Sequence, residues 1–528
     1  MKKPISKVLI LTITACLLYY FLLPAINIHD IALWFILLIL AIEYLLLSLT
    51  NATISIIKTR NSLSADFGKG SKIVGIVALV AVGVMMISSF IFSPLFQSNK
   101  YASRIALEDV SFSEVPAYSF NQTAIIDRDS ANNLGNKVMG EMTDLVSQFS
   151  VSDEYSQISY QGGTYRVTPL AYEGLIKYFK NRSNGIPGYI LVNTTTGATK
   201  LVRLENKMHY SASAMFNENL MRKLRFAYPF DIFDTPTFEI DEDGNPFYVC
   251  TTYTYTGIHS LKKVNGVVIF DPCNGKSRKY ALDEVPDWVD RVYPERLVNE
   301  ELNDYGLYHN GFFNSIFGQE GVIQTSEGYN YISKNGDIWL YTGMTSTLSD
   351  SSNVGFAIVN LRTHEAQYIK TSGADEYAVM ASAEGETSDY GYTATFPVLV
   401  NINNEPVYLL SLKDSAGLVK MYAMVDAQDY QQVYTIRAEK NARQAIETLI
   451  SQLSGNTFVS EETSEKTITI DEIKEVIING NTLYYLLAKD EIYVLTINED
   501  NAVKAVFLKA GDNITINCSK DNIIYDIK

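Results

Sequence analysis

Three long apolar runs in the first hundred residues constrain this chain more than any other feature. They are Val8–Ile26, Ile31–Leu49 and Ile73–Phe96. Each has about the 20 residues that an α-helix needs to cross the hydrocarbon core of a bilayer. Only Asn27–Asp30 separates the first two runs, so they form a hairpin. The runs predict a three-helix transmembrane anchor over residues 1–99.

Basic residues predict the orientation of this anchor. One group precedes the first run, and a second lies between the second and third runs: Lys2, Lys3 and Lys7, then Lys58, Arg60, Lys69 and Lys72. The turn between the first two runs carries Asp30 and no Lys or Arg. Because basic loops stay in the cytoplasm, we expect a multi-pass protein of the cell membrane. Its N-terminus is expected to be cytoplasmic and residues 97–528 extracytoplasmic.

Two residues inside the runs suggest further chemistry. Ile13-Thr14-Ala15-Cys16 fits the bacterial lipobox pattern, so lipidation of Cys16 is one alternative; the apolar residues that continue after Cys16 favour an ordinary cysteine in a spanning helix. Glu43 is an ionisable residue inside the second run, which by default indicates a functional site. No second charge forms a relay with it. We therefore favour a hydrogen-bonded or protonated Glu43, or its contact with a partner membrane protein.

The charge of the chain excludes one class of function. The net charge is −16, although residues 1–99 contain seven Lys and Arg against three Asp and Glu. The remainder is therefore strongly acidic and would be repelled by nucleic acid and by anionic lipid headgroups. We expect no nucleic-acid partner.

A short pattern recurs five times beyond residue 100. An apolar strand ends at an Asn or Asp, a polar turn follows, and a second strand begins; these residues are Asn193, Asp271, Asn360, Asp426 and Asn498. Asx side chains suit turns because they bind nearby backbone amides. Asn360, in GFAIVNLRTHEAQYI, is therefore expected to shape a turn and not to do chemistry. An Asn-Gly or Asp-Gly type of turn lies upstream of each copy and indicates a preceding hairpin.

Helix-compatible segments separate the copies, which recur at intervals of 66 to 89 residues. The predicted helices are Asn133–Ser150, Ala214–Ala227, Asp283–Asp304, Ala374–Ala383 and Ala438–Leu453. The chain is thus expected to be a membrane-anchored α+β protein with about five α-β-β-β-β units. The predicted segments are a linker at 100–130 and units at 131–208, 209–282, 283–372, 373–436 and 437–528. A β-propeller-like arrangement is the alternative, although propeller blades seldom carry a long helix.

The turn GYILVNTTTGATKLV with its preceding helix resembles the PepSY type of extracytoplasmic module, in which a helix leads into strands closed by a similar turn. YTGMTSTLSDSSNVGFAIVNLRTHEAQYI and GYTATFPVLVNINNEPVYLLSLKDSAGLVKMYAMVD look like an uncharacterised bacterial family of membrane-anchored proteins. The PepSY resemblance implies binding or restraint of another protein, often an extracytoplasmic protease. It carries over no functional residues.

Two similar loops are the candidate binding residues. YTGIHS and YTGMTS, at 255–260 and 341–346, are interpreted as occupying the same slot of the second and third units. Hydroxyl-rich loops on a rigid scaffold could line a groove, and their candidate residues are Tyr255, Thr256, His259, Ser260, Tyr341, Thr342, Thr345 and Ser346. A purely structural role, with each Gly supplying a turn, is the favoured alternative.

Cys250 and Cys273 form the candidate disulfide. They are equidistant from a loop centred near residues 261–262, so a simple hairpin would place them opposite each other. Two free thiols are the alternative. The five histidines have no metal-ligand spacing, and we expect no metal site, no cofactor and no recognisable catalytic motif.

These patterns predict a non-catalytic, membrane-anchored extracytoplasmic binding or scaffold protein. Its expected partners are the lipid bilayer and a protein or envelope component, with a membrane protein as one candidate. The alternative is a cell-envelope hydrolase or transferase whose site is assembled from several units, because catalytic residues meet in space and not in sequence order. A sensor is a third possibility and would need a partner, since the inner loop 51–72 is too short for an output domain.

Overall fold

The computed structural model of the chain describes twelve segments, and every structural statement below refers to them: 3–58, 69–115, 118–120, 123–326, 328–346, 352–438, 442–454, 464–478, 481–489, 491–497, 502–518 and 522–527. Internal contacts divide the chain into two bodies. The first combines Met1–Ala117 with Asn121–Ala442, and the second combines Tyr118–Phe120 with Arg443–Lys528. Each is described by itself.

The first body begins with helices. They are α1 (Lys3–Leu22), α2 (Ile31–Lys58), α3 (Lys69–Ile91) and the short α4 (Pro94–Ala102), followed by strand β1 (Leu107–Val110). Two segments are long and apolar enough to cross a membrane, Ile31–Ser48 and Lys69–Ile91, and 6% and 0% of their residues are buried within the protein. The apolar part of α1, Lys7–Leu22, is shorter. The helix ends at Leu22 because Pro24 follows two residues later.

α1 and α2 lie antiparallel, as the predicted hairpin requires. Thr14 Oγ1 donates a hydrogen bond to Glu43 Oε1 at 2.9 Å, and Lys7 Nζ contacts Ser48 Oγ at 3.3 Å. The second carboxyl oxygen of Glu43 is buried without a hydrogen-bond partner. Glu43 is thus hydrogen-bonded to the neighbouring helix, as the favoured interpretation of the sequence expects.

Four modules with one strand order follow. The first contains α5 (Arg128–Glu141), β2 (Phe149–Val151), β3 (Ser156–Tyr160), β4 (Gly163–Tyr172), α6 (Gly174–Asn181), β5 (Ile186–Asn193) and β6 (Thr199–Met208). The second contains α7 (Leu220–Ala227), β7 (Ile232–Phe233), β8 (Thr237–Ile240), β9 (Pro246–Tyr255), β10 (Lys262–Phe270) and β11 (Ser277–Tyr280).

The remaining two modules repeat this order. The third contains α8 (Glu295–Tyr308), β12 (Ile323–Thr325), β13 (Asn330–Lys334), β14 (Asp337–Ser346), β15 (Ser352–Asn360), β16 (Ala366–Ile369) and β17 (Gly373–Ala374). The fourth contains α9 (Glu376–Glu386), β18 (Thr393–Ala394), β19 (Val398–Ile402), β20 (Glu405–Lys413), β21 (Val419–Asp426) and β22 (Val433–Arg437). Segment 100–130, predicted as a linker, supplies β1, which pairs in parallel with β16.

Each module is an antiparallel sheet with a broken edge strand. The long strands β4, β9, β14 and β20 pair on one side with two short strands and on the other with the next long strand. In the first module β2 pairs with one half of β4 and β3 with the other half. The two predicted hairpins are therefore present in these four modules, and the extra short strand was not predicted. The described strands form open sheets, with no closed barrel or propeller.

The recurring Asx residue shapes the second hairpin turn in all four modules. The Oδ1 atoms of Asn193, Asp271, Asn360 and Asp426 each accept from the backbone amides two and three residues later. The turn prediction is confirmed for these four residues. Asn498, the fifth, lies outside the described residues.

The carbonyl that follows each Asx residue closes its module. Backbone amides in the segments that lead into α5, α7, α8 and α9 donate to the carbonyls of Thr194, Pro272, Leu361 and Ala427, respectively. The segment that leads into each module is thus hydrogen-bonded to the second hairpin turn of the same module. Hydrophobic cores are shared in pairs instead: Tyr189 of the first module packs on Phe238 of the second, and Phe356 of the third on Tyr408 of the fourth.

Asn360 has an additional partner, which leads to a first prediction. Its side chain is 2% exposed, and Nδ2 donates to Asp337 Oδ2 at 2.8 Å. Asn360→Ala removes this buried bond and the turn bonds, so we expect a loss of about 2 kcal/mol in the free energy of unfolding. Asp426→Ala, which removes only the turn bonds, is expected to cost about 1 kcal/mol. Chemical denaturation of both variants tests this, and equal losses would contradict the role of Asp337.

The second body has a different sheet. Its elements are α10 (Ala442–Ser454), β23 (Ser464–Thr469), β24 (Glu472–Ile478), β25 (Asn481–Ala488), β26 (Glu491–Thr496), α11 (Ala502–Ala505), β27 (Asn513–Cys518) and β28 (Ile523–Ile527). The six strands follow the order β23-β27-β28-β26-β25-β24, with β26 and β28 parallel. The predicted return strand of the fifth unit is replaced by α11. This body therefore departs from the arrangement of the other four.

Candidate functional site at the junction of the apolar helices and the second module

Two arginines of α7 bind the C-terminal end of α1. Arg222 Nε donates to the carbonyl of Tyr20 at 3.3 Å, and its guanidinium lies 4.1 Å from the centre of the Tyr20 ring. Arg225 Nε donates to the carbonyl of Leu23 at 2.9 Å. The last carbonyls of a helix have no partner within the helix, and positive charge is favoured there. The pair therefore caps α1 with groups from another element.

Arg225 is the buried member of this pair. Its side chain also donates to the carbonyls of Tyr228 and Asp231, and the residue is 5% exposed. Burial lowers the pKa of Arg225 from its ordinary value, and Asp30 opposes this effect. The guanidinium therefore joins α1 to the segment that follows α7.

The turn between α1 and α2 is fixed to the same segment. Asp30 accepts from the amides of Ala25 and Ala32 at 2.6 and 2.9 Å, which closes the turn. The amide of Ile26 donates to the carbonyl of Pro229 at 2.7 Å, and Asn27 Nδ2 donates to that of Phe230 at 3.0 Å. The turn thus lies on the same side as the modules.

The YTGIHS loop contacts the other two apolar helices. The amide of Ile258 donates to Ser88 Oγ of α3 at 2.8 Å, and the carbonyl of Gly257 is hydrogen-bonded to His29 beside the start of α2. Gly257 has φ +76°, and the Phe92 ring leaves no room for a Cβ there. The loop predicted as a binding site therefore holds the ends of α2 and α3.

The candidate side chains of this loop have different environments. The Tyr255 ring stacks on His259 at 5.0 Å, and Ser260 Oγ contacts the carbonyl of Ile258 at 3.4 Å. Desolvation lowers the pKa of His259, and burial raises the pKa of Tyr255 to about 12. Thr256 and His259 are exposed. These two are therefore the most exposed of the four candidates in this loop.

Helix α8 fastens the chain that leaves α3. Tyr101 Oη donates to the carbonyl of Phe92 at 2.9 Å, and Arg104 forms ion pairs with Asp304 and, at 3.5 Å, with Glu301. Glu301 also binds His364 Nε2 at 2.7 Å. Burial raises the pKa of Asp304 to about 6, although Arg104 opposes the shift. These contacts connect α3 to the third module.

The YTGMTS stretch is placed quite differently. Tyr341 and Thr342 are 1% and 0% exposed, and Thr342 Oγ1 donates to the carbonyl of Gly328 at 2.8 Å. Thr345 and Ser346 end β14, opposite Gln324 and Ile323. These residues belong to a strand and its core, and Tyr341 Oη contacts the buried Glu376.

The two stretches do not occupy the same slot, so the predicted shared groove is wrong. Asn360 pairs with Trp339, whereas Phe270, just before Asp271, pairs with Tyr248. Tyr341 is therefore the counterpart of Val249 and not of Tyr255. The shared Tyr-Thr-Gly letters fall in different registers of the two sheets.

The structure also corrects the cysteine pairing. Tyr255 pairs with Lys262, so the loop is centred between residues 258 and 259 and not near 261–262. Cys250 therefore lies opposite Val268, and Cys273 lies in the turn after β10. Cys250 and Cys273 are free thiols. Cys250 Sγ donates to the carbonyl of Asp234 at the break in the edge strand, as Thr168 Oγ1 does to Ser152 in the first module. Cys250 thus acts as a buried structural residue.

This correction gives a second prediction. Alkylation of the denatured protein is expected to add the same number of labels with and without a reductant, because Cys250 and Cys273 are not bonded to each other. Native alkylation is expected to spare Cys250, which is 0% exposed. Mass spectrometry distinguishes the outcomes. Two fewer labels without reductant would restore the disulfide.

A buried carboxyl pair was missed by the sequence interpretation. Glu239 and Asp290 are 0% and 3% exposed; the amide of Asp290 donates to Glu239 Oε2 at 2.9 Å, and that of Ser159 to Asp290 Oδ2 at 2.7 Å. Burial raises the pKa of Glu239 to about 7 and, together with the charge of Glu239, raises that of Asp290. Asp290 lies between the buried Val289 and Val292. These flanking valines indicate that Asp290 is buried, but the many acidic residues around them favoured the interpretation of a solvent-exposed segment. The pair can take up a proton near neutral pH.

The remaining sequence-based expectations concern Cys16 and metal binding. Cys16 is exposed within α1, and lipidation there stays a prediction. No group of three or more His, Cys, Asp or Glu among the described residues is placed to hold a metal ion.

No family model matches the chain, and no curated protein is significantly similar to it.

Proposed function

We propose that this protein is a non-catalytic scaffold anchored in the cell membrane, with its modules outside the cytoplasm. The junction carries this proposal, because the ends of α1 and α3 and the α1–α2 turn are all bound to the modules. A body held at three points cannot swing freely from its anchor. Such an arrangement suits the presentation of a surface at a fixed distance from the bilayer.

The basic residues support the proposed orientation. The modules contact the α1–α2 turn, whereas Lys3 and Lys7 lie in the opposite half of α1 and Lys69 and Lys72 begin α3. Basic residues remain on the cytoplasmic side. In this orientation all three apolar helices span the membrane, and residues 97–528 are extracytoplasmic.

The proposed partner is a protein or an envelope component. The PepSY-like turn supports a role in binding or restraining another protein. The acidic composition, with 59 Asp and Glu against 43 Lys and Arg, favours a partner with basic surface.

Protease protection and crosslinking test the two parts of the proposal. Protease added to intact cells whose outer barriers have been removed is expected to digest the modules and to leave a fragment that contains α1 to α3. Crosslinking in intact cells is expected to copurify one or a few envelope proteins with the full chain. Protection of the modules would overturn the orientation, and turnover of peptide, glycan or ester substrates by the purified protein would overturn the scaffold role.

A further inference from the structure

Exposed apolar side chains of the modules are concentrated in three stretches. Among the described residues of 103–438, ten large apolar or aromatic side chains are at least half exposed. All but Tyr390 fall within 175–179, 216–230 and 313–317: Leu175, Ile176, Phe179, Phe216, Phe226, Phe230, Phe313, Ile316 and Phe317. Single exposed apolar residues need no explanation, but a concentration of this kind marks an interaction surface.

Two of these stretches lie beside the C-terminal end of α1. The rings of Phe179 and Phe216 are 6.0 Å apart, and the carbonyl of Phe216 accepts from Arg222, which stacks on Tyr20. Phe226 lies 6.0 Å from the Tyr19 ring. The apolar side chains are therefore continuous with the last turn of α1.

The third stretch lies beside the C-terminal end of α3. Tyr101, whose hydroxyl binds the carbonyl of Phe92, lies 6.1 Å from the Tyr308 ring. Phe312 stacks on Tyr308 at 6.3 Å, and Phe313 on Phe317 at 6.5 Å. This chain of rings leads from α3 to a π-helical turn, Asn314–Gly318, that carries exposed apolar side chains.

The charges of α6 and α7 fit the same location. In an acidic chain, these two helices contain no Asp or Glu. Arg222 and the buried Arg225 bind the end of α1, and the other basic residues of the two helices are Lys177, Lys180 and Lys223. Leu175, Ile176 and Phe179 share one face of α6, because residues three and four apart are neighbours on a helix. Apolar side chains combined with Lys and Arg are typical of helices that lie in a membrane interface.

We propose that stretches 175–179, 216–230 and 313–317 form one lipid-contacting face that lies at the headgroup and acyl-chain boundary of a phospholipid bilayer. The leaflet is the one in which α1 and α3 end. The first two modules then rest on the membrane through α6 and the residues near α7, and the third through its π-helical turn. This inference depends on the membrane anchoring proposed above.

Tryptophan quenching by brominated lipid tests the lipid face. The full chain with Trp34→Phe, which keeps Trp288 and Trp339, is combined with Ile176→Trp or Phe317→Trp and reconstituted in vesicles of phosphatidylcholine brominated near the top of the acyl chains. The emission of the added tryptophan is the difference from the Trp34→Phe protein alone. These side chains are 80% and 79% exposed, so the substitutions leave the core unchanged. Each added tryptophan is expected to lose about half of its emission relative to unbrominated vesicles. Tyr390→Trp, at a residue that is 57% exposed and lies outside the three stretches, is the control and is expected to keep its emission.

The native Trp34 separates this inference from the anchoring on which it rests. Trp34 lies near the start of α2, so the quenching that the unmodified protein shows and the Trp34→Phe protein lacks reports membrane insertion. Quenching of Trp34 without quenching at 176 and 317 would overturn the lipid face alone and assign that surface to a protein partner. Absence of Trp34 quenching would overturn the membrane anchoring itself.

Discussion

Arg225→Met is expected to lower the free energy of unfolding by about 3 to 5 kcal/mol, because it removes a buried charge that satisfies several carbonyls. The side chain donates to the carbonyls of Leu23, Tyr228 and Asp231. Methionine fills similar space but donates nothing, so these groups lose their partner in a buried setting. Thermal and chemical unfolding of the full chain in lipid nanodiscs measures the loss.

Two matched variants isolate the cause of this loss. Arg203→Met removes an exposed arginine whose ion pair with Asp144 lies on the surface, and it is expected to cost about 0 to 1 kcal/mol. Arg225→Lys keeps the charge but loses the planar fork, so an intermediate loss is expected. A loss for Arg225→Met no larger than that for Arg203→Met would show that the capping of α1 does not stabilise the protein.

The second large effect is a pH dependence centred on Glu239. Its pKa is raised from 4.5 to about 7 in the folded protein. A raised carboxyl pKa means that the folded state favours the protonated form, so this stability is present below about pH 4.5 and is lost as the pH rises through 7. The fully buried side chain implies a loss of about 3 kcal/mol over this window.

Glu239→Gln tests this dependence directly. Glutamine keeps an acceptor for the amide of Asp290 but cannot ionise, so the variant is expected to gain stability relative to the parent as the pH rises from 5 to 8. Glu242→Gln, at an exposed position of the same module, is expected to follow the parent at every pH. Unfolding curves across this range give the comparison. Parallel curves for the parent and Glu239→Gln would contradict the raised pKa.

The repeated hairpins were predictable because their signals are local. Asx side chains bind amides two and three residues later whatever surrounds them. The residue type at Asn193 or Asp426 is therefore enough to predict the turn. The broken edge strand was not predictable, because β7 and β18 have two residues each and are defined only by pairing with a distant strand. Such short elements carry no periodicity of their own.

Helix boundaries and site residues depended on information that the sequence hides. The predicted helix Asp283–Asp304 begins only at Glu295, because Pro294 occupies the N-cap and the preceding residues cross to the carbonyl of Leu361. The YTGIHS loop has an unusual sequence, but its contact with Ser88 could not be predicted from it, because the two residues are 170 positions apart. The sequence similarity between YTGIHS and YTGMTS was misleading, because strand pairing and not sequence similarity sets the register of a sheet.

The capped end of α1 also sets a length. Lys7 contacts Ser48, and Leu22 lies beside the carbonyls that the two arginines bind. Between these two residues the helix rises by roughly 22 Å at 1.5 Å per residue. A typical hydrocarbon core is about 30 Å thick. With both ends held, α1 cannot adjust by sliding, so in the proposed placement the lipid beside it must thin. In that proposed placement, α1 favours a thinner bilayer than the other two apolar helices require.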